Sequence, residues 1–402
     1  MSFSQRTTVV LKDQEWAAET RAGGLQLNSS LGKTADTDIK ATMDPKDDFL
    51  DRLWCPRIDE SRYSDLQQHP STANEDNYHD PPQTRFYFAL NLHQCASILP
   101  RLMGSIMEAI LFLGPENCVL SIVGAQRDDD GTTEILSGLR DEASGIGLKF
   151  HFKVTDIDPL RKDSDRVAEL AKLRNAALAP LLNDSQLDNS ETTLIFLNDI
   201  SLCAEDILEL VYQRKIQQAD MTCALDWIHG GRFFYDVWIA RGMSGDLFFE
   251  IPQSGSWEFA ENLFWNDPSS RSAYDSRQPF QVYACWNGAV ALSAKPFLED
   301  QIRFRAAGGR ECVMGEPTLL CKDFWTHGHG RIAVIPSVNV GYSDEESRAI
   351  KVRRGYVSTS LAQQSKALDT LITWKGAPPD LIKCQPSWNS PSWVAWNQGI
   401  PE

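Results

Sequence analysis

From position 85 onward, short apolar runs alternate with stretches in which apolar residues recur at helical spacing. Residues 85–92 (RFYFALNL) form a β-rich apolar run, as a buried strand does. Over 98–113, Ile98, Leu99, Leu102, Ile106, Ala109, Ile110 and Leu113 share one helical face, and Gly114-Pro115 stops the helix. A second strand is expected over 118–123, a polar loop over 126–131, a helix from 132 to 139 and a third strand over 148–154. Val167, Leu170, Leu173, Ala177, Leu178 and Leu181 place a long helix over 163–182. Strands at 193–197 (TLIFL) and 221–225 then flank a helix over 206–217, with Asp206 near its start, where a carboxylate favours the helix dipole. This alternation predicts an α/β fold: an open, mostly parallel Rossmann-like sheet with covering helices and right-handed crossovers.

The pattern differs on either side of this block. Residues 1–83 are polar and end in an Asn-, Asp- and Pro-rich run over 69–82, which reads as an N-terminal extension wrapped on the core or partly disordered, with a short helix at 47–54. Across 231–345 aromatics are dense and Gly and Pro punctuate often, which suits a smaller mixed subdomain of loops and short strands. A β-like run at 280–284 leads to Asn287-Gly288, a turn signal. The tail is basic at 351–354, has one helix over 358–373, and ends in a segment with Trp388, Trp393 and Trp396. The expected division is 1–83, 84–230, 231–345 and 346–402.

A chain of 402 residues, 42% hydrophobic, can bury a sizeable core. Its 39 basic and 55 acidic residues give a net charge of −16, which argues against a general nucleic-acid binder. The longest apolar stretch, 97–114, is interrupted by Arg101 and Glu108, so no membrane span is expected. No signal pattern opens the chain, which as written reads as cytoplasmic; removal of an anchor would place it in the Golgi lumen. The nine cysteines contain no CxxC pair, which argues against a zinc ribbon or redox motif. Without an export signal they read as buried free thiols rather than disulfides.

In an open α/β sheet, ligands bind at the carboxyl ends of the strands. The second strand runs into Arg127, Asp128, Asp129 and Asp130, the fourth into Asn198-Asp199, and the fifth into Asp226-Trp227. An oxygen-rich rim of this kind suits a hard divalent cation that bridges phosphates. Asp199 would hold the metal, or would simply cap the following turn. Arg174, with Asn175 beside it on the long helix, would meet a phosphate or an acidic side chain. Trp286, beside Asn287, would stack on a sugar ring or sit in the core next to a hairpin. Glu316, Asp323, His327 and His329 lie within fourteen positions, and the two histidines are candidate Mn²⁺-type ligands or plain surface residues. HExxH, GxSxG, Walker A and GxGxxG motifs are absent, which argues against metalloproteases, hydrolases, P-loop NTPases and dinucleotide dehydrogenases.

FLNDI (196–200), DILELVYQRKIQQADMTCALDW (206–227), FYDVWIARGMSG (234–245), PFQVYACWNGAVAL (279–292) and CKDFW…GRIAVIPSVNVGY (321–342) together resemble the fungal capsule-type α-1,3-mannosyltransferase family, glycosyltransferase family 69. The resemblance covers about 85–345. It implies a GT-A-like fold, a GDP-mannose donor, a divalent metal (Mn²⁺ or Mg²⁺) and transfer to a hydroxyl acceptor with retention. It puts Asp199 on the metal, with Arg127, Asp129, Arg174, Asn175 and Asn198 toward the donor. Asp226 and Glu316 become candidates for holding sugar hydroxyls in catalysis, and Trp227, Trp286 and Asn287 candidates on the acceptor side. Two departures stand out. Gly124-Ala125-Gln126-Arg127 replaces an ESxS-like run, and Gly315-Glu316-Pro317 replaces a Ser-Glu-Cys. The acceptor is a glycan or a small lipophilic metabolite. The alternatives are a transferase using a UDP-sugar and a non-catalytic sugar-binding protein of the same fold.

Overall fold

The computed structural model describes residues 35–44, 50–67, 85–126, 128–184, 187, 189–252, 254–387 and 390–400. The run 69–82, Arg127 and Trp388 lie outside these. Two helices, α1 (Ala35–Met43) and α2 (Glu60–Gln67), precede the sheet. Residues 50–54 are not helical, against expectation.

The expected alternation is present: β1 (Phe86–Leu92), α3 (Leu99–Leu113), β2 (Cys118–Ala125), α4 (Thr132–Gly145), β3 (Lys149–Thr155), α5 (Arg166–Asn183), β4 (Thr193–Leu197), α6 (Ala204–Ile216) and β5 (Met221–Ile228). Local chemistry sets several of the ends. Asp165 caps α5 by accepting from the Val167 and Ala168 amides at 3.0 and 3.1 Å. Asp206 reaches back to the Cys203 amide at 2.8 Å to open α6. After β5 come β6 (Phe233–Phe234), β7 (Arg241–Gly242), α7 (Pro268–Asp275), β8 (Phe280–Ala284), β9 (Ala289–Ser293), the short α8 (Lys295–Leu298), α9 (Glu316–Thr326) and β10 (Ile332–Val340). The chain ends with α10 (Asp344–Arg354), α11 (Val357–Leu368) and a hairpin of β11 (Leu381–Cys384) and β12 (Ser392–Ala395).

Ten strands form one sheet in the order β3-β2-β1-β4-β9-β5-β10-β8-β7, with β6 paired to the end of β5. Strands β1 to β4 are parallel, as are β5 and β10. Strand β9 is antiparallel to both β4 and β5, so those two run the same way. Six strands therefore end at one edge. Side chains alternate across the sheet: Phe86, Phe88, Leu90 and Leu92 join a core with α3, α4 and α6, while Tyr87 and Ala89 join a core with α5 and α9.

Three sequence expectations are corrected. Strands β8 and β9 follow one another but are separated in the sheet by β5 and β10, so Asn287-Gly288 does not close a hairpin. The basic run 351–354 is the last turn of α10, a helix that Ser343 caps by accepting from the Glu346 amide at 3.1 Å. And six cysteines are paired as Cys55–Cys203, Cys223–Cys285 and Cys312–Cys384, with Cα separations of 5.5, 6.2 and 5.9 Å. Cys95, Cys118 and Cys321 are buried free thiols. The pairs join residues far apart in the chain, so their approach depends on the tertiary fold rather than on any local spacing.

Cys55–Cys203 ties the segment before α2 to the start of α6 across 148 positions. Changing both residues to serine is expected to lower unfolding free energy by about 2–4 kcal/mol, by removing a constraint on the unfolded chain. A urea titration of the variant beside the parent checks this; coincident midpoints would contradict it.

Candidate active site

The carboxyl edge of the six co-directional strands gathers the polar groups. The apolar run of β4 delivers Asn198 and Asp199 to this edge, both half-buried. The Asn198 amide N–H donates to the Gly288 carbonyl at 2.9 Å, and its Oδ1 accepts from the Trp286 indole at 3.0 Å. Asn198 is thus a structural strut, which leaves Asp199 as the carboxylate at the end of β4. Its charge lies near Cys95 and, after burial itself, is the next influence holding that thiol protonated.

The segment 285–288 crosses next to β5. Cys285 is bonded to Cys223, and the Asn287 side-chain amide donates to the Ala224 carbonyl at 2.7 Å. Asn287 and Gly288 both have left-handed backbones, φ 56° and 80°. A Cβ on Gly288 would come within 3.2 Å of Ile200 and 3.4 Å of Val340, so glycine permits this close approach.

Beyond Asp226, strand β5 continues to Ile228 and turns through Gly230-Gly231, and β6 pairs back on it. This hairpin, which lies beyond the strand expected over 221–225, returns Tyr235 and Asp236 to the edge. The Asp236 amide donates to Asp226 Oδ1 at 3.2 Å, and Asp236 Oδ2 accepts from the Asn287 amide at 2.9 Å. Tyr342, just past β10, donates its hydroxyl to Asp226 Oδ2 at 2.6 Å. Its ring lies 4.8 Å from that of Tyr235, which is 40% exposed and so offers the accessible aromatic surface here.

Arg174 on α5 meets Glu316 at the start of α9, Nε to Oε1 at 2.8 Å, with both side chains buried. The guanidinium lies over Trp286 at 4.2 Å and Phe196 at 5.2 Å. Of the two readings for Arg174, the acidic partner is the one present. Asn175 instead clamps Phe304, donating to its carbonyl at 2.8 Å and accepting from its amide at 3.0 Å. This places Asn175 in a packing role rather than toward a donor.

Trp227, Trp286 and Asn287, expected on the acceptor side, are at most 1% exposed. They form the floor of the site: Trp227 donates to Asn339 Oδ1 at 2.7 Å, and Trp286 packs in the core. The aspartates after β2 are engaged with the exit of β1. Asp128 accepts from the Gln94 amide at 2.9 Å, Asp129 from the Gln94 side chain at 2.7 Å, and Asp130 from the Ala96 amide at 2.9 Å. Asp226 and Glu316 are themselves buried, so the expected acidic rim reduces to a few accessible carboxylates.

His327 and His329 do not reach this edge. The register runs from Leu194 through Leu292 and Met221 to Ile332, which sets the loop before β10 at the opposite edge of the sheet. The five residues of β4 span roughly 16 Å at about 3.3 Å each, far beyond a shared ligand distance. His327 Nδ1 caps the Asp323 carbonyl at 2.8 Å, and His329 Nε2 pairs with Asp300 at 2.7 Å. Among the described residues, no group of three or more His, Cys, Asp or Glu side chains could hold a metal ion. A single carboxylate such as Asp199 still suits a hard cation that takes its other oxygens from ligand phosphates and water.

Burial, then the charge of Asp236, push the Asp226 carboxyl well above its usual 3.8. Burial likewise raises Asp236 to about 6, against the Asn287 amide and the Arg174 charge. Between 3.8 and about 6 the folded protein thus holds more protons at this pair than the unfolded chain does. The contribution is fully present below 3.8 and falls as pH rises above it; the part from Asp236 is gone above about 6, while Asp226, held higher, goes on losing its part beyond that. Replacing Asp226 with asparagine should therefore flatten the fall in thermal midpoint between pH 4.5 and 6.5 relative to the parent. Parallel curves would contradict this assignment.

Residues 85–323 match the family described as Cryptococcal mannosyltransferase 1. An α-1,3-mannosyltransferase of Cryptococcus neoformans var. neoformans serotype D, CMT1, is 33% identical over 320 residues, covering 75% of this chain and 68% of that protein. Among solved structures, S. aureus TarS 1–349 is similar at 12% identity and a TM-score of 0.38, covering 70% of this chain. The match spans 66% of that structure, just under two thirds. The mannosyltransferase PcManGT from Pyrobaculum calidifontis, in complex with GDP-Man and Mn²⁺, is similar at 10% identity and a TM-score of 0.37, covering 83% and 73% of the two chains. Both structural likenesses are slight.

Proposed function

The chain belongs to the Cryptococcal mannosyltransferase 1 family of glycosyltransferases, and from that premise we propose that it transfers a mannosyl group from GDP-mannose to an acceptor hydroxyl, with retention, at the carboxyl edge of its sheet. The observation that carries the proposal is the convergence there of Asp199, the Asp226–Asp236 pair and the Arg174–Glu316 pair, all within the matched span.

In this reading the donor diphosphate lies beside Asp199, which would hold a divalent cation jointly with the phosphate oxygens. The cation, when bound, supplies charge neutralisation to the departing diphosphate. Arg174 sets the positive field behind the site and fixes Trp286 as a rigid floor under Asn198. The exposed ring of Tyr235 offers a face for a sugar, and Asp236, the next residue in the chain, a carboxylate held by the Asn287 amide. The three disulfides support work in an oxidising compartment, where such bonds persist.

The test is a donor screen with GDP-mannose, UDP-glucose, UDP-galactose and UDP-xylose, each with Mn²⁺ or with EDTA. The expected result is turnover of GDP-mannose with Mn²⁺ and loss of it with EDTA. Preference for a UDP-sugar would overturn the donor. Metal-dependent binding without turnover would turn the site into a sugar-nucleotide receptor.

A further inference from the structure

We propose that the C-terminal hairpin carries a second sugar site, separate from the transfer edge, which holds a neutral pyranose unit of a glycan acceptor against Trp393; that this glycan is the acceptor rests on the transferase reading above.

The hairpin has an inner and an outer face. Leu381 pairs with Ala395, Ile382 with Val394, Lys383 with Trp393 and Cys384 with Ser392. Successive side chains of a strand point to opposite faces. Ile382 and Cys384 belong to the core, and Val394 packs against it. Leu381, Lys383, Trp393 and Ala395 therefore share the outer face. Leu381 is 50% exposed and Trp393 45%. With Ser244, Pro379 and Asp380, these two residues line an open cavity of about 460 Å³. The exposed indole is thus one wall of a concave surface, not a lone apolar residue in solvent.

The platform is held firmly. Cys384 is bonded to Cys312. The Lys383 amide donates to the Gly245 carbonyl at 2.8 Å, and the Lys383 carbonyl accepts from Arg241 Nε at 2.8 Å. The Trp396 amide closes the hairpin by donating to the Asp380 carbonyl at 3.1 Å. Gly245 has a φ of 79°, and a Cβ there would collide with the Leu381 carbonyl, so glycine lets the hairpin seat on this turn. A surface ordered in advance loses little conformational freedom when a ligand binds.

The lining selects the ligand. Asp380, which is exposed, offers only acceptor oxygens when ionised. The Ser244 hydroxyl donates to Asn266 Oδ1 at 3.2 Å, so toward a ligand it too is an acceptor. Such a wall calls for a ligand rich in donors. Asp380 disfavours an anion such as a phosphate or a uronate. Lys383 Nζ, 4.9 Å from the Trp393 ring centroid and 3.5 Å from Asp246, disfavours a cation. A hydrocarbon chain would strip water from Asp380 and give it no partner. A neutral pyranose satisfies all three conditions: its C–H face covers the indole, and its hydroxyls donate to Asp380 and Ser244.

The site stands apart from the transfer edge. Strand β7, which leads into the turn under the hairpin, lies three strands from β5 in the sheet. At roughly 4.8 Å per strand that is about 14 Å, too far for one pyranose to touch both Trp393 and Asp226. The hairpin would engage a different unit of the same glycan.

The test titrates the full chain, without donor or metal, with α-linked mannotriose and with trigalacturonate, read by calorimetry. Mannotriose should bind, and Trp393→Ala should weaken that binding by about 10- to 50-fold. Trp393→Phe, which keeps an aromatic face, should recover part of the loss. Asp380→Asn should weaken binding by about 3- to 10-fold. Melting temperatures should match the parent's, because both side chains are exposed. Trigalacturonate should bind more weakly than mannotriose. No binding of mannotriose at millimolar concentration, binding that Trp393→Ala leaves unchanged, or tighter binding of trigalacturonate would each overturn the proposal. If Trp393→Ala melts below the parent, Trp393→Phe and Asp380→Asn decide in its place. No donor enters this titration, so its outcome is independent of the donor screen. A failed screen would remove the acceptor role and leave the sugar site, while a failed titration would remove the sugar site and leave the transferase reading.

Discussion

Changing Asp199 to alanine is expected to lower Mn²⁺-dependent transfer from GDP-mannose by about 100- to 1,000-fold, the loss usual when one group that stabilises developing charge is removed. The fold should survive. Asp199 is only half-buried, and the strut at the end of β4 is its neighbour Asn198, which holds Trp286 and Gly288. If Asp199 served only as a cap for the turn after β4, its loss would cost about 1 kcal/mol of stability and little activity. The two roles therefore separate on two axes. A metal-sharing carboxylate loses activity at an almost unchanged melting temperature, and added Mn²⁺ recovers part of it. A cap loses stability while its turnover at low temperature stays near the parent's. Full activity in Asp199→Ala would sink the metal scheme.

What the sequence discloses about this edge depends on how local each signal is. The run TLIFL is five apolar residues between polar neighbours, so β4 and the place of Asn198-Asp199 at its end follow from it directly. Arg174 was legible as one half of a pair, but its partner sits 142 positions away and only the packing of α9 against α5 identifies it. Asp236 is not legible, because the apolar run of β5 breaks after Leu225. The strand in fact continues through Asp226 and Trp227 to a Gly-Gly turn, a hairpin signal masked by the aromatic density around it. Trp286 carried two readings, and burial against Phe196 and Phe304 decides for the core. The two histidines near 328 are close in sequence to Glu316, yet helix α9 carries the chain away from the site between them. The insertion of β9 between β4 and β5, and the three disulfides, are long-range pairings with no local signature.

Changing Arg174 to leucine is expected to cost about 3–5 kcal/mol, because it leaves the buried Glu316 carboxylate without its cation. The same change withdraws the positive charge that favours the ionised form of Asp236, so that group should titrate higher in any variant that still folds. Lysine should not substitute well. The guanidinium is planar and lies over Trp286 at 4.2 Å while its Nε holds Glu316, and an ammonium reproduces neither contact at once. Part of the loss should be recoverable without restoring the charge. In Arg174→Leu/Glu316→Gln no buried carboxylate is stranded, so the double variant should be more stable than Arg174→Leu alone. Activity should not follow stability. The double variant still lacks the cation at the donor edge and should remain well below the parent in turnover. Urea titrations and initial rates on the two single variants and the double variant, completed as a cycle with the parent, measure both effects. Additive stabilities would mean that Arg174 and Glu316 are not coupled. Turnover recovering together with stability in the double variant would mean that Arg174 serves only the fold.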